Sequence, residues 1–136
     1  MLNITEIPFV KHLKVEEKGG RLCMENASAL HNHIGTIHAG ALYTLAESQS
    51  GLGLQDLFPE LSGIVIPLLR SASVRYVKPV NTEVCASSYA DDADKERLER
   101  QFKAKGRGSI TVSVVLTDAE DTECFRGTFD WFVTKR

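Results

Sequence analysis

The stretch Asn32-His33-Ile34-Gly35-Thr36-Ile37-His38-Ala39-Gly40-Ala41-Leu42-Tyr43-Thr44-Leu45-Ala46-Glu47-Ser48-Gln49-Ser50-Gly51-Leu52-Gly53 leads small polar residues into an apolar segment that holds one acid. Leu42, Leu45, Gln49 and Leu52 recur at spacings of three and four. That pattern predicts a helix over residues 38–55, with Thr36 as its N-cap. Ala39, Ala41, Tyr43 and Ala46 make the helix apolar on most sides, so it should be nearly surrounded by protein. Gly51 and Gly53 weaken a helix and predict a close backbone approach or an early end. Glu47 is the only Asp, Glu, Lys or Arg between Glu25 and Asp56. A carboxylate in an apolar segment is costly to bury unless it is paired, protonated or put to use. Glu47 is therefore the first candidate for chemistry. Its bland alternative is a structural acid, paired with a buried Arg or hydrogen-bonded to backbone.

Upstream of this helix, residues 9–18 alternate loosely, with Phe9, Lys11, Leu13 and Val15 on one side. Gly19-Gly20 is a turn signal, and Arg21 to Glu25 reads as a strand, so an N-terminal hairpin is predicted. Downstream, residues 63–78 are β-rich. Ile64-Val65-Ile66 reads as fully buried, Pro67 as an edge or bulge position, and Ala72, Val74 and Tyr76 as one face. Residues 82–90 form a further strand. Between 91 and 105 the acids Asp91, Asp92 and Asp94 come first and the bases Lys103 and Lys105 last, an order that suits a helix dipole. Glu96/Arg100 and Glu99/Lys103 stand at favourable four-residue spacing. A surface helix is expected here, with a long hairpin arm as the alternative. Ile110, Val112, Val114 and Leu116 then alternate with smaller or polar residues, and Phe125, Gly127, Phe129, Trp131 and Val133 do the same to the end.

The chain has 136 residues, 43% hydrophobic and 25% charged, which fits one soluble globular domain, residues 1–136, with a real core. A net charge of -2 gives no global reason to expect nucleic acid or an acidic membrane surface. No apolar run is long enough to span a bilayer, and the first residues lack the basic start and apolar run of a signal peptide. Cys23, Cys85 and Cys124 are odd in number, far apart and without Cys-x-x-Cys spacing. They are expected to be reduced, buried thiols of a cytoplasmic protein. His31, His33 and His38 cluster, but no acid or cysteine completes them at ligand spacing, so no metal site is expected.

Two early strands, one apolar helix and about four later strands joined by short connections predict an α+β fold with an antiparallel sheet. Asn32, Gly35, His38-Ala39-Gly40 and Leu45-Ala46-Glu47, in that setting, resemble the hotdog-fold acyl-CoA thioesterases. The resemblance is nearest to the branch of phenylacetyl-CoA and 4-hydroxybenzoyl-CoA thioesterases. That family has Asn or Gln, then His-Gly six residues later, then Asp or Glu nine residues after the His. Asn32, His38, Ala39 and Glu47 reproduce the spacing. Tyr76-Val77-Lys78-Pro79 and Lys105-Gly106-Arg107 before an alternating strand also resemble its second half. One departure is Ala39-Gly40 where the family has Gly-Gly. The group needed there is a backbone N–H, which Ala also supplies, although its methyl group can narrow the acyl site.

The resemblance implies a hotdog fold, an antiparallel sheet wrapped around a central helix, and hydrolysis of an acyl-CoA to a carboxylic acid and free CoA. No cofactor is implied beyond the coenzyme A of the substrate. The chemistry suits the residue types. A helix N-terminus offers free N–H groups to the oxygen that gains charge, so the N–H of Ala39, with that of Gly40, is the candidate oxyanion donor. Glu47 would be nucleophile or general base, and Asn32 would orient water or thioester, or else simply cap a turn. His38 is read as a structural histidine at the helix start rather than a base. Ala39 and Glu47 stand eight residues apart, about 12 Å along one helix, too far to act on one carbonyl. A second, antiparallel copy would bring its Glu47 beside this Ala39, so a homodimer with shared sites is expected. The resemblance implies the same, with pairing into a homotetramer. For the CoA phosphates the candidates are Lys105, Arg107 and Lys103, with Lys78 behind them; a solvated charged face is the default reading. Two other functions stay open: a non-catalytic acyl-CoA-binding hotdog domain, and a hydroxyacyl-thioester dehydratase working through a histidine. Neither nucleic acid nor membrane is expected as a partner.

Overall fold

A computed structural model describes residues 2–136. Its elements follow in chain order: helix α1 (Pro8–His12), strands β1 (Glu16–Lys18) and β2 (Arg21–Met24), the long helix α2 (Ala39–Leu57), strands β3 (Val65–Tyr76) and β4 (Val84–Tyr89), helix α3 (Asp92–Lys105), and strands β5 (Arg107–Thr117) and β6 (Glu123–Lys135). The strands form one antiparallel sheet in the order β1-β2-β4-β5-β6-β3, folded around α2.

Alternation in β5 and β6 fixes which face meets the helix. Ile110, Val112, Val114 and Leu116 of β5 and Phe125, Phe129 and Val133 of β6 are buried. They pack with Leu42, Leu45 and Ala46 of α2. Burying α2 also buries its polar residues, and these find partners. The hydroxyls of Thr44, Ser48 and Ser50 donate to carbonyls of their own helix, at Gly40, Thr44 and Glu47. Gln49 accepts from the Leu22 N–H at 3.0 Å and donates to the Ser88 hydroxyl at 3.0 Å, pinning α2 to β2 and β4. The indole N–H of Trp131 donates to the Ser50 hydroxyl. Gly53 marks the close approach expected of it, since a Cβ there would lie 2.5 Å from the Ser88 Oγ.

Several expectations change. Residues 9–18 do not form a strand. Pro8 opens α1, where its fixed φ suits a first helical residue, and Lys14 then takes a positive φ that turns the chain. Only Glu16–Lys18 pairs with β2, across Gly19 and Gly20, both at positive φ as a tight hairpin turn requires. The N-cap of α2 is His38, not Thr36, and the helix runs on to Leu57. Ile64 and Ile66 are exposed rather than buried, because β3 is an edge strand with β6 on one side only. That edge position accommodates Pro67, while the register shift falls between Leu69 and Ser71. α3 is a helix, capped by Gly106 at positive φ. Its ion pairs join Asp92 to Lys95 and Asp94 to Arg97, three residues apart, instead of the four-residue pairs expected.

The cysteines change as well. Cys23 and Cys85 are register partners across β2 and β4 and are joined by a disulfide. The pairing comes from sheet register across 62 residues, which spacing in sequence does not reveal. These two cysteines therefore lend no support to a reducing compartment. Cys124 is free and buried, and burial pushes its thiol up to about 11. Among the described residues, no helix is long and apolar enough to cross a membrane.

Candidate functional site at the start of the central helix

The segment leading into α2 is held on both sides. The N–H of Ile37 donates to the Val80 carbonyl and that of His38 to the Leu30 carbonyl. Before it, Asn32 organises its own loop. Its Oδ1 accepts from the N–H groups of Ile34 and Thr36, both at 3.0 Å, and its Nδ2 donates to the Thr36 hydroxyl at 2.8 Å. Such local bonds form an Asx turn. Asn32 thus faces its loop, and the side-chain partners found for it all lie within residues 32–36.

His38 caps the helix. Its Nδ1 accepts the Gly40 N–H at 2.8 Å, which requires that nitrogen to be unprotonated and leaves any proton on Nε2. The Gly40 N–H is therefore already occupied. The Ala39 N–H has no acceptor among the described residues, and Ala39 itself is exposed. A free N–H at the first turn, with the positive end of the helix dipole behind it, is a site for a developing anion.

Glu47 lies two turns further along, half-buried. Burial raises its carboxyl above the ordinary value of 4.5. Among the described residues it has no ion pair and its side chain accepts no hydrogen bond. A buried Arg or a backbone donor does not account for it. Tyr43 precedes Glu47 by one turn, and burial, then the charge of Glu47, raises its hydroxyl. Tyr76 of β3 stands next: burial, then Tyr43, raises it in the same direction, and its hydroxyl donates to the Ala39 carbonyl at 3.1 Å. Both rings are braced by β6, Tyr43 against Phe129 and Tyr76 edge-on to Phe125 at 5.2 Å. Sequence reading singles out neither tyrosine for the site. The signal for Tyr43 is present, since it lies four residues before Glu47 on the same face.

The basic candidates separate. Lys105 and Arg107 line one cavity of about 200 Å³ with Arg70, Gln101, Ser109 and Phe132. The Arg70 guanidinium lies over the Phe132 ring at 4.1 Å. Lys103 lines a different cavity, with Phe58, Leu61, Leu98 and Phe102. Lys78 is engaged with Asp118 at 2.5 Å. Sequence reading missed Arg70 and Phe132, which only the pairing of β3 with β6 and of β6 with β5 brings to Lys105 and Arg107.

A family model matches residues 5–133. The chain belongs to the family described as "Domain of unknown function (DUF4442)". No curated protein matches this DUF4442 chain. Among solved structures it is similar to a Pseudomonas aeruginosa protein of unknown function called a probable thioesterase, at 24% identity and a TM-score of 0.81, over 98% of this chain and 91% of that one. It is similar to a Haemophilus influenzae thioesterase at 16% identity and a TM-score of 0.73, over 97% and 86%. A Bacillus halodurans protein solved with CoA matches at 18% identity and a TM-score of 0.68, over 92% and 74%. At these identities the likeness carries the fold: the DUF4442 chain has the hotdog fold, six antiparallel strands around a long central helix.

Proposed function

We propose that the chain is an acyl-CoA thioesterase, releasing a carboxylic acid and free CoA. One observation carries the reading: the half-buried Glu47 and the N–H of Ala39, both without a partner among the described residues, lie on the same helix. As water adds to the thioester carbon, the carbonyl oxygen gains negative charge, and the Ala39 N–H stabilises it. Glu47 takes the proton of the attacking water, or itself attacks and is then freed by water. The C–S bond breaks, the sulfur leaves with a proton, and the acid departs. Asn32 acts by holding the loop that leads into the helix, and His38 by capping it. Gly40 contributes its small size rather than its N–H, which His38 occupies.

The 12 Å or so between Ala39 and Glu47 requires two chains. The outer edge of β3, with Ile66 and Leu68 exposed, supports a homodimer joined through that strand, each site taking Ala39 from one subunit and Glu47 from the other. Two such dimers can pair. The solved relative with CoA and the cavity of Lys105, Arg107 and Arg70 support acyl-CoA as the small-molecule substrate, with its phosphates at that cavity. Lys103 stands apart from them. On this reading no metal or redox cofactor takes part.

The test is thiol release from a panel of short, long, branched and aromatic acyl-CoAs, with wild type and Glu47→Gln side by side. Turnover that depends on Glu47 is the expected result. Binding without release across the whole panel would leave an acyl-CoA-binding domain instead.

A further inference from the structure

The face of the sheet turned away from α2 carries outward side chains in rows set by register. Ser71, Asp130 and Thr111 form one row. The hydroxyls of Thr111 and Ser71 donate to Asp130, at 2.6 and 2.7 Å, and hold its carboxyl below the usual range. The next row is Ser73, Thr128 and Ser113. Their hydroxyls have no protein acceptor among the described residues. In the row after it, Arg75 of β3 lies directly opposite Arg126 of β6.

Like charges directly opposed across two strands destabilise a sheet. Little offsets this pair. Glu123 reaches Arg126 at 3.4 Å in a water-exposed contact, and Arg75 has no ion pair among the described residues. The two arginines, the three hydroxyls and the Glu123 carboxylate line one cavity of about 400 Å³, which Tyr89 flanks; its two guanidinium charges outnumber its one acid. Joining two chains through the backbone edge of β3 leaves these outward side chains open.

We propose that this cavity binds a phosphate group. Two guanidinium forks match the geometry of phosphate oxygens, and a bound dianion converts their mutual repulsion into attraction. Ser73, Thr128 and Ser113 supply neutral donors beside them. The site is separate from the Ala39–Glu47 site, which lies on the helix side of the sheet, and from the cavity of Lys105 and Arg107. It stands whether or not the chain hydrolyses thioesters. The phosphate is either free or part of a phosphate ester whose remainder lies along Tyr89.

Calorimetric titration at physiological ionic strength with inorganic phosphate and with adenosine 5′-monophosphate, on wild type, Arg75→Gln and Arg126→Gln, tests this. Binding of either probe is expected, weakened about tenfold or more in each variant. Tighter binding of the ester, reduced to that of phosphate by Tyr89→Ala, identifies the esterified source; equal binding identifies free phosphate. In phosphate-free buffer Arg75→Gln should melt no lower than wild type, because it removes a repulsion, and this separates lost binding from lost folding. No heat with either probe, or equal binding by both arginine variants and wild type, overturns the proposal.

Discussion

The Tyr76 hydroxyl donates to the Ala39 carbonyl at 3.1 Å, tying the edge strand β3 to the first turn of the central helix. The peptide unit that follows Ala39 is thereby held, and with it the first turn of the helix that carries the Ala39 N–H. Tyr76→Phe keeps the ring edge-on to Phe125 and removes only the bond. Stability should fall by about 0.5–1.5 kcal/mol, seen as a lower denaturant midpoint at unchanged slope. Thioester hydrolysis should lose several-fold in kcat with KM little changed, since the donor is loosened rather than the substrate's grip. An unchanged midpoint would show that the hydroxyl prefers water to the helix.

Burial raises the Glu47 carboxyl, and the direction sets the sign of its effect on stability. Below the ordinary carboxyl range Glu47 is protonated in both folded and unfolded chains and costs nothing. Above its folded value the ionised group is disfavoured in the fold, and the penalty is fully present. Glu47→Gln should therefore melt higher than wild type at neutral pH, and the gain should shrink as pH falls through the folded value towards 4.5. The same variant should lose about 10²–10⁴-fold in turnover. In wild type, kcat/KM should rise with pH along an acid limb lying above the ordinary glutamate value. A variant that melts lower than wild type at neutral pH would mean that Glu47 has a stabilising partner in solution.

What the sequence disclosed and what it hid follow one physical line. Helix α2 was legible because a long apolar segment with a single acid has few other uses, and β5 and β6 because alternation sustained over residues 110–117 and 125–133 marks their faces. Short elements were not. Helix α1 has five residues, too few for periodicity to outweigh the chance alternation of Phe9 and Lys11. Ile64-Val65-Ile66 looked buried because apolar runs usually have cover on both sides, but strand order in the sheet depends on distant pairing. Within the candidate site the same division holds. Ala39, Glu47 and His38 share one helix and its immediate cap, so their spacing in sequence carries directly into space. Tyr76 arrives there by strand register, as Arg70 and the Cys23–Cys85 pair do elsewhere in the sheet, and register is not printed in the sequence.

That disulfide closes a loop across 62 residues between two neighbouring strands. Cross-linking so long a segment restricts the unfolded chain, and the usual effect is about 2–4 kcal/mol. Protein denatured without reductant should titrate one thiol, that of Cys124, and not all three. Adding reductant should lower the unfolding free energy by about that amount and expose two more thiols. Three thiols before reduction would show the pair open in solution.

The free N–H of Ala39 can be removed without disturbing the helix, because Ala39 is the first residue of α2. Proline is well tolerated there, and the extended backbone of His38, at φ -60 and ψ 139, suits a residue that precedes one. Ala39→Pro should fold near wild-type stability and lose about 10²–10³-fold in kcat. Combined with Glu47→Gln, it also asks whether a site is built from one chain or two. In a mixed dimer of an Ala39→Pro chain and a Glu47→Gln chain, one shared site carries both substitutions and is dead. The other joins an intact Ala39 to an intact Glu47 from the opposite chain. Co-expressing two inactive variants should therefore recover about a quarter of wild-type activity, from the half of dimers that are mixed. If each site lay within one chain, no mixture would recover anything, and the shared-site dimer would have to be abandoned.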